Sequence, residues 1–256
     1  MKMAKIAVVT GVSRREGLGA AICLELARRG YDIFLTYYRP YDDQMSYGMD
    51  EDGPSAILQD IEELGQRASM MEADLTQVSN IKKIFAEVSN VFGAPATALI
   101  NNACVSVNDS IDSITAEALD EHYAINTRAV TLLTQAFVKQ FENGNGRIIN
   151  IATGWNQGGR MPDELSYVLT KSTSETLTHT LATVLMKRGI TINSVDPGPT
   201  DTGWMDEQVK DALTPLFPSG RLGVPQDAAR LVGFLVSDDA QWITGQTIHS
   251  DGGFRD

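Results

Sequence analysis

Three side chains suited to carbonyl chemistry stand in the stretch from Gly146 to Lys171: the hydroxyl of Thr153, the phenol of Tyr167 and the ammonium of Lys171. Tyr167 and Lys171 are four residues apart, a spacing that puts both on one face of a helix. A free tyrosine titrates near ~10 and is a poor acid or base at neutral pH. A fixed cation beside it favours phenolate and brings that value towards the working range. Together the three groups suit reduction of a carbonyl. By itself Tyr-x-x-x-Lys is a weak motif, whose ordinary alternative is a buried tyrosine with a solvated lysine.

The elements that must position these groups are legible around them. The apolar run Ile148 to Ile151 predicts a buried strand that delivers Thr153 to a sheet end, and a helix then carries Tyr167 and Lys171 and stops near Gly189. At the other end of the chain, Lys5 to Thr10 predicts a strand. It runs into Gly11, Ser13, Arg14, Arg15, Gly17, Leu18 and Gly19, and a helical pattern continues to Gly30. Strand, glycine turn and helix make a cradle for a pyrophosphate at a helix N-terminus, with Gly11 allowing the turn and Gly17 and Gly19 a close backbone approach. A plain turn is the competing reading. Tyr31 to Tyr38 predicts the next strand. Its end holds Thr36, Tyr37, Tyr38 and Arg39 where an acidic residue would mark NAD. Arg14, Arg15 and Arg39 are candidates for a 2′-phosphate, which favours NADP(H) over NAD(H); surface arginines need no ligand.

Residues 40–54 are polar and acidic and predict a mobile, solvated surface loop beside the adenosine end. Alternation then resumes, with helices over 56–64 and 78–92 and strands over 67–73 and 97–101. Asp74 is placed to touch adenine or to cap a helix. A long helical pattern over 115–141 holds Asn126, either a satisfied core amide or part of a polar relay, with the local pattern favouring the amide. After the Tyr–Lys helix come a strand over 190–195, the rigid turn Asp196 to Thr202, and a weakly amphipathic segment over 202–221 suited to a substrate flap. A helix over 226–236 and a strand over 246–249 follow. Trp155, Met161, Trp204, Met205 and Phe217 suggest an apolar pocket.

The 256 residues fit one large α/β domain, with no linker or internal repeat. Alternating βα units predict a single doubly wound, Rossmann-like parallel sheet of seven strands. A net charge of −12 argues against nucleic-acid or anionic-membrane binding. No apolar run approaches the ~20 residues of a membrane span. Cys23 and Cys104 are too few for a disulfide framework, and His122, His179 and His249 lack metal-ligand spacing. With no N-terminal signal visible, a cytoplasmic protein without a metal is expected.

With these residues assembled, the chain resembles the short-chain dehydrogenase/reductases over essentially its whole length. The match rests on Thr10-Gly11 with Gly17-x-Gly19, Asp74, Asn101-Asn102-Ala103, Asn126, Tyr167-x-x-x-Lys171, Pro197-Gly198-x-x-x-Thr202 and Ile243-Thr-Gly-Gln246 leading to Asp251-Gly-Gly253. It is most similar to the branch labelled 3-oxoacyl-carrier-protein reductase. The resemblance implies an NAD(P)(H)-dependent enzyme of the EC 1.1.1.- kind that interconverts a small-molecule carbonyl and an alcohol. It implies Tyr167 as acid/base, Lys171 lowering its pKa, Thr153 orienting substrate, and Asn126 anchoring a water relay. Leu75, Asn102, Ala103, Pro197, Gly198, Thr200 and Thr202 would join the glycine turn in holding the cofactor, and a homotetramer or homodimer is implied.

The chain departs from the family pattern in a glycine turn two residues longer, in Cys104 and Thr153 for glycine and serine, and in a loop to Tyr167 about one residue longer. The extra methyl of a threonine restricts χ1 but leaves a hydroxyl able to donate. Enoyl-carrier-protein reductases share the longer turn but use a wider Tyr-to-Lys spacing, so a spacing of four favours carbonyl over alkene reduction. Thr153 and Cys104 motivate a second reading, a non-catalytic dinucleotide-binding regulator that kept the fold. No conspicuous basic cluster marks a dock for an acidic carrier protein.

Overall fold

A computed structural model describes residues 4–45, 47–142, 144–154 and 161–254. Its sheet has seven parallel strands: β1 Ile6–Val9, β2 Asp32–Tyr37, β3 Ala68–Glu72, β4 Ala98–Asn101, β5 Gly146–Ile151, β6 Ile190–Asp196 and β7 Thr247–His249. Their order is β3-β2-β1-β4-β5-β6-β7, so the chain winds outward in both directions from the β1–β4 neighbours. Such a reversal opens a crevice at the carboxyl ends of the strands, where α/β sheets bind ligands.

The strands are apolar runs because both faces are covered. Alternation decides which side chain meets which layer. Ala7, Val9, Ile33, Leu35, Ile100 and Ile149 face one layer, against Ile22, Leu26, Ile57, Ile61 and Val232. Ile6, Val8, Phe34, Leu99, Ile148 and Ile192 face the other, against Ile84, Phe85, Val88, Leu133, Phe137 and Leu185. The first layer is built from α1 Leu18–Arg28, α3 Gly53–Glu63 and α10 Pro225–Leu235, and the second from α4 Val78–Phe92, α6 Val130–Gln140 and α8 Thr173–Met186. Short helices α2 Arg39–Asp42, α5 Ala116–His122, α7 Leu165–Lys171 and α9 Glu207–Leu213 lie between them in the chain.

Two expected helices are not continuous. The pattern over 115–141 forms α5, a seven-residue π-helical segment Tyr123–Ala129, and α6. Asn126 sits within the widened turns, which are uncommon and concentrate at functional sites. The expected Tyr–Lys helix is divided at Ser172 into α7 and α8. Residues 40–54, expected as a solvated surface loop, instead turn Tyr41, Asp42, Met45 and Tyr47 inward, onto the wall of the main cavity. At its far end Gly53 lies so close to the glycine turn that a Cβ there would be 2.4 Å from the Ser13 carbonyl oxygen.

Candidate active site

A cavity of about 1540 Å³ runs along the carboxyl ends of the strands, bordered at one end by the glycine turn and at the other by Thr153, Tyr167 and Lys171. The turn is fixed by two side chains. Thr10 Oγ1 accepts hydrogen bonds from the amides of Asn102 and Ala103, both at 3.1 Å. The Asn102 side-chain Nδ2 donates two in return, to Thr10 O at 2.8 Å and Gly11 O at 2.9 Å. This pulls β1 and β4 so close that a Cβ on Gly11 would lie 2.6 Å from Ala103 Cα, and Gly11 has φ +72°. A Cβ on Gly19 would lie 2.8 Å from Gly11 O. Gly17 caps the eleven-residue α1 without a side-chain acceptor, leaving first-turn amides at the cavity wall. Uncapped amides behind a cradle that any side chain would fill fit the pyrophosphate of a dinucleotide.

The adenosine end corrects part of the sequence reading. Of the three arginines expected at a 2′-phosphate, only Arg14 reaches the cavity, with Ser13, Thr36 and Tyr38. Its guanidinium stacks 3.7 Å from the Tyr47 ring centroid, donates to Thr202 O at 2.9 Å and has Nε 4.0 Å from the Asp42 carboxylate. Arg15 is drawn 3.3 Å from Asp50. Arg39 lies over the Tyr37 ring with Nη1 3.9 Å from Glu72. Asp74 is also off the wall, though Ala73 and Leu75 are on it. Its Oδ1 accepts from Thr76 N at 2.8 Å and Thr76 Oγ1 at 2.6 Å, a local turn ahead of α4, whose start carries no side-chain cap, so the capping alternative is not realised.

At the reacting end, β5 delivers Thr153, 9% exposed, and α7 presents the half-buried Tyr167 and the buried Lys171. Burial pushes the Tyr167 phenol well above its ordinary value, and the nearby Cys104 adds to this, while a hydrogen bond from Thr153 works the other way. Lys171 Nζ donates to Ile151 O, and burial lowers its own pKa. Cys104 lines the cavity.

Asn126 is 1% exposed and fully bonded. Its Oδ1 accepts from Val105 N at 2.9 Å, and Nδ2 donates to Val105 O at 2.9 Å and Thr170 Oγ1 at 3.0 Å. The local expectation of a satisfied amide thus describes its side chain, which clamps the loop after β4 onto the residue before Lys171. The turn after β6 holds Gly198 at φ +61°, with Thr200 Oγ1 donating to Pro197 O at 3.1 Å. Pro197, Gly198, Thr200 and Thr202 all line the cavity. The expected flap contributes α9 to the same wall, through Val209, Ala212 and Leu213. Met161 and Trp204 face the cavity as expected. Met205 and Phe217 are buried in the core instead, Phe217 with its ring 5.0 Å from that of Phe254, and Trp155 lies outside the described residues.

Several site residues escaped the sequence reading because long-range contacts define them. Asp109 Oδ1 accepts from Ser166 N at 2.8 Å, holding the start of α7 from a distant loop. His122 Nδ1 donates to Ala118 O at 2.7 Å, leaving Nε2 to accept from Val107 N at 3.2 Å. The Tyr41 phenol accepts from Ser106 N at 3.1 Å. Asp196 and His249 pair at 2.7 Å, and Asp196 packs so tightly on Gly154 that a Cβ there would be 2.7 Å from its Oδ2. With Asp251 these two offer ligand-type atoms within 4.8 Å of one another. The only local signal was Asp196 opening a Pro-Gly-Pro turn; Asp109 and His122 carry none.

Comparisons with known proteins agree with this architecture. Residues 11–255 match the family model described as enoyl-(acyl carrier protein) reductase. The chain is 42% identical over 253 residues to the uncharacterized oxidoreductase YjdA of Bacillus subtilis, covering 98% of this chain and 96% of that one. It is 31% identical to the 3-oxoacyl-[acyl-carrier-protein] reductase FabG of Staphylococcus aureus, over 99% of each chain. Among solved structures, the landomycin C-6 ketoreductase LanV with bound NADP and rabelomycin superposes with a TM-score of 0.84 at 31% identity, covering 97% of this chain and 95% of that one. With the glycine cradle, the seven-stranded sheet and the Thr–Tyr–Lys end of its cavity, the chain belongs to the short-chain dehydrogenase/reductase family of nicotinamide-dinucleotide-dependent oxidoreductases.

Proposed function

We propose that the protein interconverts a small-molecule carbonyl and the corresponding alcohol, an EC 1.1.1.- reaction. One observation carries the reading: Thr153, Tyr167 and Lys171 meet at one end of a cavity whose other end is a cradle for a pyrophosphate. A bound nicotinamide dinucleotide would supply or accept the hydride. In the direction of reduction, the Thr153 hydroxyl donates a hydrogen bond to the substrate oxygen and the Tyr167 phenol gives that oxygen its proton. The protonated phenol is the form this step needs, and the Thr153 hydrogen bond works against the rise that burial gives it. Asn126 serves by fixing Val105 and Thr170 beside Lys171, so any water relay would bypass its occupied amide. The four-residue Tyr–Lys spacing supports carbonyl over alkene reduction, despite the description of the matching family model.

NADP(H) is the favoured cofactor, on the strength of Arg14 at the adenosine end and of the NADP held by LanV. Asp42, pushed up by burial and 4.0 Å from Arg14, is the opposing group, since a carboxylate there suits a bare ribose. A homotetramer or homodimer is proposed from the family, and a cytoplasmic location from two cysteines that are both free. The test is a fluorescence titration with NADPH and NADH, followed by a carbonyl screen of the wild type and Tyr167→Phe. Tighter NADPH binding is expected, with turnover lost in Tyr167→Phe while binding persists. Tighter NADH binding reassigns the adenosine end to Asp42 and leaves the carbonyl reading standing. Retained turnover in Tyr167→Phe overturns the mechanism, and binding without turnover of any carbonyl promotes the regulator.

A further inference from the structure

The wall beside Tyr167 holds a carboxylate that the chemistry above does not use. Glu164 precedes α7, and its backbone is fixed at both ends: its amide donates to Met161 O at 3.1 Å and its carbonyl accepts from Val168 N at 2.9 Å. A carboxylate at a helix start ordinarily accepts first-turn amides. Here Asp109 does that work by accepting from Ser166 N, and the Glu164 side chain makes no cap bond. It turns instead to the cavity, which it lines with Tyr167. Its hydrogen bond is from a neutral donor, Ser106 Oγ to Oε2 at 3.4 Å, and Ser106 is itself gripped by Tyr41. Among the described residues, no cationic side chain pairs with it.

A half-buried carboxylate whose one hydrogen bond among the described residues is long and neutral is under-compensated, because a charge taken from water needs a donor or cation to replace its hydration. Burial accordingly pushes its pKa up, with Asp163 adding to the rise and the Ser106 bond opposing it. The same cavity is lined by the apolar side chains of Met161, Trp204, Leu213 and Leu216. Resting on the carbonyl-reductase reading, we propose that Glu164 is a specificity residue: it selects carbonyl substrates that carry a hydroxyl or ammonium donor next to the carbonyl on an otherwise apolar body, and it excludes carboxylates. The donor would satisfy the Glu164 carboxylate while the carbonyl oxygen sits between Thr153 and Tyr167. An anionic substituent in the same place would meet a like charge.

The experiment compares kcat/KM for 2-hydroxyacetophenone, 2-aminoacetophenone, 2-methoxyacetophenone and benzoylformate, in the wild type and in Glu164→Gln. The methoxy compound matches the hydroxy compound in electron withdrawal but has no donor. Reading ratios within one enzyme cancels any general loss of activity. The wild type is expected to favour the hydroxy or amino ketone over the methoxy ketone by about tenfold or more, the scale of one hydrogen bond to a charged group, with benzoylformate the poorest substrate. In Glu164→Gln the ammonium compound should lose its advantage, the hydroxyl compound should lose most of it, and benzoylformate should gain. Ratios that do not move in the variant, or a wild type that prefers benzoylformate, overturn the assignment while leaving carbonyl reduction intact. Turnover of no carbonyl by the wild type overturns the underlying reading, and this assignment with it.

Discussion

At the scale of single residues, the site is divided between groups that could touch substrate and groups that hold them in place. Tyr167 and Lys171 were legible in the sequence because helical spacing puts them on one face, and Thr153 because an apolar strand ends just before it; their joint role came from the family resemblance. Asp109 was not, because 57 residues separate it from the Ser166 amide it accepts. Burial raises its carboxyl, but the hydroxyl and amide of Ser166, the nearby His122 ring and the amide of Leu165 outweigh that and hold it below the ordinary range. A depressed folded value means that stability is contributed in full above the unfolded value, about 3.9, and is lost as the pH falls through the folded one. Asp109→Ala also leaves the Ser166 amide without its acceptor. The variant is expected to lose about 1–3 kcal/mol in urea unfolding at neutral pH, the worth of a charged hydrogen bond. The gap from wild type should narrow as the pH is lowered towards about 3. Because α7 starts at that bond, kcat should fall more than the affinity for cofactor. A gap that is constant with pH would show that the carboxylate charge plays no part in holding α7.

Among elements, the glycine turn shows where a motif is readable and where it stops being so. The strand–turn–helix context was enough to place the cradle, since only glycine adopts φ +72° cheaply at Gly11. What hid was the partner surface: Asn102 drawing β4 against the turn, and residues 40–54 folding inward onto it. Polar composition marked that segment as solvated, yet Tyr41 and Tyr47 are anchored by Ser106 and Arg14, residues no local pattern connects to them. The π-helical segment was hidden for a similar reason, its amide partners lying on another loop. A matched pair of variants separates conformational strain from close approach. Gly30 has φ +82° and open space around its missing Cβ, so Gly30→Ala should cost only the left-handed penalty, about 1–2 kcal/mol. Gly11→Ala adds a Cβ 2.6 Å from Ala103 Cα and must part β1 from β4. It should lower the thermal midpoint further than Gly30→Ala and abolish saturable dinucleotide binding, which Gly30→Ala retains. Equal midpoints and equal binding would mean that the turn yields without consequence and is not the cradle.

On the scale of the whole molecule, two pairs stand out among the exposed apolar side chains of the described residues. Tyr123, at the start of the π-helical segment, and Leu169 on α7 are 50% and 52% exposed. Trp242 and Val184 are 87% and 58% exposed, and a shallow groove lined by His179, Ala182, Met186 and Thr244 borders the latter pair in sequence. Scattered exposed hydrophobes are normal, but a tryptophan this exposed is the kind of residue that anchors an interface. Periodicity could not separate these positions from core ones, because a helix face buried by a second subunit reads the same as one buried by the sheet. Two independent patches are what a dimer of dimers requires, one for each pairing. Light scattering at micromolar concentration should therefore give a mass near four times the 27.8 kDa of one chain. Trp242→Lys should halve that mass, and so should Tyr123→Glu with Leu169→Glu, whereas all three changes together should give a monomer. The second pair lies on the elements that carry Asn126 and Tyr167, so losing that interface should also lower kcat, while Trp242→Lys should leave it nearly unchanged. A wild type that is monomeric at these concentrations removes both patches from consideration as subunit contacts and ties the activity to the single chain.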